Sequence, residues 1–171
     1  ITFVIDSGKV PVNVIILEDK FEEEIFFAPG SKAETSIEFD TDTIYDNIVT
    51  HHGNKIKSLR RNGISVSVQT KYMTGVEPTI RSSYGRGTTK ADISGGDTTL
   101  GFHESQHAAE AFDFIHKNQV PDVIIKPGMT MTKAQADMEA FAVKLTAYVA
   151  KMESHHIAHV DCVGTNARFC K

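Results

Sequence analysis

Two hydrophobic periods divide this chain. Up to about residue 96, apolar residues come in short runs or alternate with polar ones. ITFVID (1–6), VNVIIL (12–17) and EIFFA (24–28) are short apolar runs; TSIEFDT (35–41) and ISVSVQT (64–70) alternate with period two. That alternation puts every second side chain on one face and predicts strands with one buried side. NG at 62–63, YGRG at 84–87 and SGG at 94–96 read as turns between them. Between the strands, TIYDNIVTHHGNKIKSLRR (43–61) predicts one or two short helices broken at Gly53, with the adjacent His51 and His52 in a turn.

After Gly96 the period becomes helical. Asp97, Thr98 and Thr99 are N-cap candidates, and LGFHESQHAAEAFDFIHK (100–117) then runs without a breaker to Asn118. A linker with two prolines, NQVPDVIIKPGM, follows. A second helix is expected to open with the capping box Thr132–Gln135 and to reach about Ser154. Met138, Phe141, Leu145, Tyr148 or Val149, and Met152 recur every three to four residues and give it a core-facing stripe. The pattern predicts an α+β fold over 1–171 as a single domain. Residues 1–96 form a small, mainly antiparallel sheet, and 97–171 supply two packed helices.

Composition narrows the function classes. A chain of 171 residues suits one domain with a real core. A net charge of −4 without a long Lys/Arg cluster argues against nucleic-acid or membrane-surface binding. No apolar run is long enough for a membrane span. KIKSLRR (55–61), the densest basic stretch, reads as a solvated helix face. A start at Ile1, without initiator Met or signal peptide, suggests a mature form or an excised domain. Cys162 and Cys170 bracket a Gly-containing loop that could close as a disulfide, which would fit an oxidising compartment; two free thiols are the competing reading.

The chemistry concentrates in His103-Glu104-Ser105-Gln106-His107, an H-E-x-x-H pattern inside the first predicted helix. Residues four apart project from one helix face, so both imidazoles can reach one ion. Glu104 lies about 100° round the helix, where it can hold an activated water without being a ligand. Zn2+ suits this donor set and brings water's pKa toward neutrality, and the carboxylate takes the proton. The competing reading makes His103 and His107 two solvent-facing histidines on an amphipathic helix.

HESQH on a helix after a small sheet, with a second helix beyond, resembles the zincin class of zinc metallopeptidases. The resemblance covers the motif and the order of elements over the last 75 residues or so. It implies a zinc-polarised peptide carbonyl, with Glu104 as general base. It also implies an antiparallel edge strand before the metal helix, for which TKADIS (89–94) is the expected segment. The metzincin pattern puts Gly at position 110 and a third ligand at 113. Glu110 stands at the first, so the helix should continue and turn Asp113 away, leaving a gluzincin-like arrangement. Glu110 then either orients one histidine of the pair or is an exposed glutamate.

The third ligand must come from beyond residue 118. Glu139 on the second helix ranks first, ahead of His159 and then Asp161 in ESHHIAHVD (153–161), although the E-x-x-x-D signature is broken by Val143. The sequence therefore points to a zinc-dependent endopeptidase acting on protein or peptide substrates. It would be a secreted or periplasmic, effector- or toxin-type domain that a cognate inhibitor or immunity protein could restrain. The alternatives are a non-catalytic α+β binding module and a zinc amidase acting on peptidoglycan.

Overall fold

The computed structural model describes residues 1–6, 10–51, 53–165 and 170. Seven strands precede three helices: β1 (Thr2–Asp6), β2 (Pro11–Ile16), β3 (Lys20–Glu22), β4 (Ala33–Asp40), β5 (Tyr45–His51), β6 (Lys55–Arg61), β7 (Ile64–Met73), α1 (Lys90–Gly95), α2 (Leu100–Lys117) and α3 (Met131–Val160). The fold is α+β, with the sheet region first and the long helices after it.

β7 is the spine of the main sheet. It runs antiparallel to β4 on one side and parallel to β2 and then β3, laid end to end, on the other; β1 pairs antiparallel with β2. The strict alternation of ISVSVQT produces this. Ile64, Val66 and Val68 go to the core, while the residues between them are only half buried. Because β4 pairs only with β7 among the described residues, its outer side is a free edge.

Three sequence expectations need correction. Residues 43–61 are not helical: β5 and β6 form a separate hairpin, turning through Gly53 and Asn54, both at positive φ. KIKSLRR is therefore a strand, anchored by buried Ile56, and His51 ends β5; His52 lies outside the described residues. EIFFA is not a strand either. Glu24–Phe26 is a short 3-10 turn with Ile25 and Phe26 exposed, and the pairing falls to KFE just before it. TKADIS is helix α1, not an edge strand. The Thr89 hydroxyl accepts from the Asp92 N–H and caps it, and Gly96, in the left-handed region, ends it.

The helices follow the sequence more closely. α2 begins and ends where the apolar periodicity predicts, with Thr99 accepting from the Phe102 N–H as N-cap. α3 is capped by Thr130 rather than Thr132 and extends past Ser154 to Val160, so ESHHIAHV is its last two turns. Phe141, Leu145, Tyr148 and Met152 fill the expected stripe. The two helices cover one face of the sheet. Phe112 meets Phe3 of β1, and Tyr148 packs edge-on against both Phe39 of β4 and Phe114 of α2.

The linker between the helices determines their register. Val120, Val123 and Ile125 are buried, the Tyr45 hydroxyl donates to the Val123 carbonyl, and Met129 accepts from the Ile56 N–H. The linker thus follows the hairpin away from α2, and α3 starts well beyond the α2 C-terminus. Running antiparallel, α3 brings Tyr148 level with Phe114, His156 with His107, and its C-terminal end with His103. No described helix is long and apolar enough to cross a membrane.

Candidate metal centre

His103 and His107 sit on the α2 face that meets both β4 and the end of α3. Their rings are 5.1 Å apart, and both are buried, His103 completely. The competing picture of two solvent-facing histidines therefore fails. Asp161 closes the group as the C-cap residue of α3. Its Oδ1 is 3.2 Å from His103 Nε2 and 3.2 Å from His107 Nε2. Ligand atoms sharing a tetrahedral zinc at ordinary bond lengths stand about 3.3 Å apart.

Proton accounting makes that geometry informative. His103 Nδ1 is 3.0 Å from the Arg86 carbonyl, which can only accept, so Nδ1 carries a proton. In neutral His103 the bare Nε2 lone pair then faces a carboxylate oxygen. Among the described residues neither His103 Nε2 nor Asp161 Oδ1 has a hydrogen-bond partner, and both are buried. Two acceptors held this way need a cation between them, either an extra proton or a metal ion. The electrostatics lean the same way. Burial works against a charged His103, but Asp161, Glu104 and the Arg86 carbonyl outweigh it and raise its pKa. Burial also pushes the Asp161 carboxyl up, and the two histidines more than reverse this, holding it well below the usual carboxylate range.

His107 is oriented from behind. Its Nδ1 lies 2.9 Å from Nδ1 of His156, a buried residue on α3. Burial, and next the neighbouring His107, bring the His156 pKa down to about 4, so it is neutral at pH 7. A neutral His156 can accept the His107 Nδ1 proton, which leaves His107 Nε2 free to ligate. Metal-bound histidines characteristically donate their other N–H in this way.

Glu104 adjoins His103 on α2 and is buried beside the pair. It is 2 % exposed, and the Thr35 hydroxyl of β4 donates to its Oε2 at 2.9 Å. Burial raises its pKa above the ordinary glutamate value, against the pull of His107, His103 and Thr35. Tyr84 packs edge-on against His103 at 4.7 Å; burial, Asp161 and Glu104 push its phenol up to about 12, so it stays protonated.

The loop YGRG, read from sequence only as a turn, joins the parts. The Arg86 N–H donates to the Val160 carbonyl at the end of α3, while its own carbonyl takes the His103 proton. The Arg86 guanidinium is anchored on Asp92 of α1. Burial pushes the Asp92 carboxyl up, but Arg86, Thr89 and the Gly87 N–H overcome this and bring it down to about 2. Directly beyond Asp161, Cys162 is disulfide-bonded to Cys170.

Glu139, the sequence's first choice of third ligand, is nowhere near this group. It is exposed and accepts from Gln135 within its own helix, and from 139 to 161 α3 rises about 33 Å. It sits on the half of α3 that overshoots α2. His159 is also exposed, with Nδ1 donating to the His155 carbonyl. Glu110 does not touch the His103/His107 pair; it takes His155 instead, at 3.1 Å. Asp113 points away as expected and pairs with Lys117.

A cleft of about 490 Å³ opens over the centre, with β4 as one wall and Tyr84 and the end of α3 opposite. Glu34, Glu38 and Glu153 join Glu104 and Asp161 in lining it, and no lysine or arginine does so among the described residues. No known protein family, characterised protein or solved structure matches this chain.

Proposed function

We propose that the protein is a zinc-dependent peptidase whose centre is held by His103, His107 and Asp161. The observation that carries this reading is the pair of 3.2 Å approaches of Asp161 Oδ1 to the two Nε2 atoms, two of the three atoms having no hydrogen-bond partner among the described residues. Two imidazoles and one carboxylate, with Glu104 alongside, suit a catalytic rather than a closed structural site. When bound, the ion would activate water and polarise a scissile carbonyl.

The chain's own residues supply the rest. Glu104 accepts the proton of the attacking water and returns it to the leaving amine; its raised pKa brings it closer to neutral operating conditions. Thr35 fixes the carboxylate through its hydroxyl. Tyr84, protonated across the working range, is available to donate to the developing oxyanion. The free edge of β4 offers backbone donors and acceptors to an extended peptide, which would add a strand beside the cleft. The excess of carboxylates favours peptides with lysine or arginine near the cleaved bond. The Cys162–Cys170 bond fits a secreted or periplasmic setting.

The test combines metal analysis with turnover. Purified protein should carry one tightly held zinc and cleave basic peptides. Glu104→Gln should retain that zinc while losing about 10²- to 10⁴-fold in kcat. Cleavage of peptidoglycan sacculi but no peptide would move the activity to an amidase. No hydrolysis by the zinc-loaded protein of peptides or sacculi would reduce the centre to a structural one.

A further inference from the structure

A second group of metal-compatible side chains lies on the outer seam of α2 and α3. Glu110, His155 and His159 each offer one ligand atom, and these atoms all lie within 4.8 Å of one another. We propose that they bind a second divalent transition ion, of the imidazole-preferring kind typified by Zn2+, Ni2+ and Cu2+. The site is distinct from the buried centre and does not depend on whether that centre is catalytic.

Helix geometry builds most of it. His155 and His159 are four residues apart on α3, so they project from one face; their ring centroids are 4.1 Å apart with planes inclined by 33°. His159 donates its Nδ1 proton to the His155 carbonyl at 2.8 Å, which orients the ring and leaves its Nε2 lone pair free. Glu110 comes from the facing helix, with Oε2 at 3.1 Å from His155 Nε2. That is close to the roughly 3.3 Å between two ligands of one tetrahedral ion. On coordination, His155 would carry its proton on Nδ1 and turn the Nε2 lone pair to the ion, which would take the place of the hydrogen bond to Glu110.

The donor set also selects the ion. Two imidazoles and a single carboxylate suit borderline transition metals, whereas Ca2+ and Mg2+ need a cage of oxygens that this seam lacks. His159 is exposed and the other two are half buried, so water can fill the remaining coordination positions. Such a site should exchange its ion more readily than the buried one. It would also bridge the helices one turn from the first centre. Glu110 lies three residues beyond His107 on α2, and His155 adjoins His156 on α3. An ion there would pin to α2 the turns of α3 that carry His156 and lead into Asp161.

The test is a calorimetric titration of metal-stripped protein with Zn2+ at neutral pH. The parent should take up two equivalents, one tight and one weaker. His159→Ala, at an exposed position that does not threaten folding, should weaken only the second by at least ten-fold, and Glu110→Gln should do the same. Asp161→Ala should lose the tight equivalent and keep the weaker. The inference is overturned if His159→Ala and Glu110→Gln bind every equivalent that the parent binds as tightly as the parent does; a single equivalent lost in those variants would keep the seam site and overturn the buried centre instead.

Discussion

Gly85 lies directly against Asp161. A Cβ built on Gly85 would stand 3.0 Å from the Asp161 Cα, 2.9 Å from His103 Cε1 and 2.2 Å from the Val160 carbonyl oxygen. With φ at +61°, the residue also occupies the left-handed region. Only glycine lets the loop from β7 to α1 press this closely on the end of α3.

Gly85→Ala should therefore act on stability and on the proposed metal centre together. The strained φ and the backbone clash should cost about 2 kcal/mol in urea unfolding. The shift of Asp161 away from His103 should weaken zinc binding in a chelator competition. Unchanged zinc affinity would show that Asp161 is not held in place by this loop.

Asp161 and Glu139 make opposite predictions about the third ligand. Asp161→Ala should lower zinc affinity by orders of magnitude, because a catalytic zinc needs three protein ligands. Glu139→Ala should leave it unchanged, since Glu139 is exposed and accepts from Gln135 within its own helix. Chelator competition on the two variants decides between them; loss in Glu139→Ala alone would refute the geometry described above.

His156 is expected to work through His107. Replacing it by Phe fills the space but removes the acceptor for the His107 Nδ1 proton, and should weaken zinc binding by about 10- to 100-fold. His156→Gln, which restores an acceptor, should recover part of that loss. Equal affinities for the Phe and Gln variants would mean that His156 merely packs.

Asp92 gives a pH signature. Its folded carboxyl is held at about 2, below its ordinary value of 3.8, so ionised Asp92 stabilises the fold above about pH 4 and this contribution is lost as pH falls through 2. The difference corresponds to about 2 kcal/mol. Asp92→Asn should be less stable than the parent by about that amount at pH 6, and the two should converge near pH 2 in urea titrations. A gap that persists at pH 2 would assign the effect to packing instead.

How the site is divided between sequence and fold follows from the range of the interactions involved. The bounds of α2 and the shared face of His103 and His107 were legible because caps, breakers and a 3.6-residue period act between neighbours in the chain. The strands of alternating polarity were legible for the same reason. Residues 43–61 and 89–94 were misread because their local patterns fit more than one element. Gly53 and Asn54 made the first a hairpin, and the Thr89 cap made the second a helix. The residue that closes the proposed metal site was undetermined by anything local. Glu139 and Asp161 lie on the same helix and its cap, and the choice between them rests on how far α3 slides along α2. That register is set by Val120, Val123 and Ile125 burying the linker, with Tyr45 and Ile56 of the hairpin holding it by hydrogen bonds. It is a tertiary packing decision, and it places Asp161, not Glu139, against the two histidines.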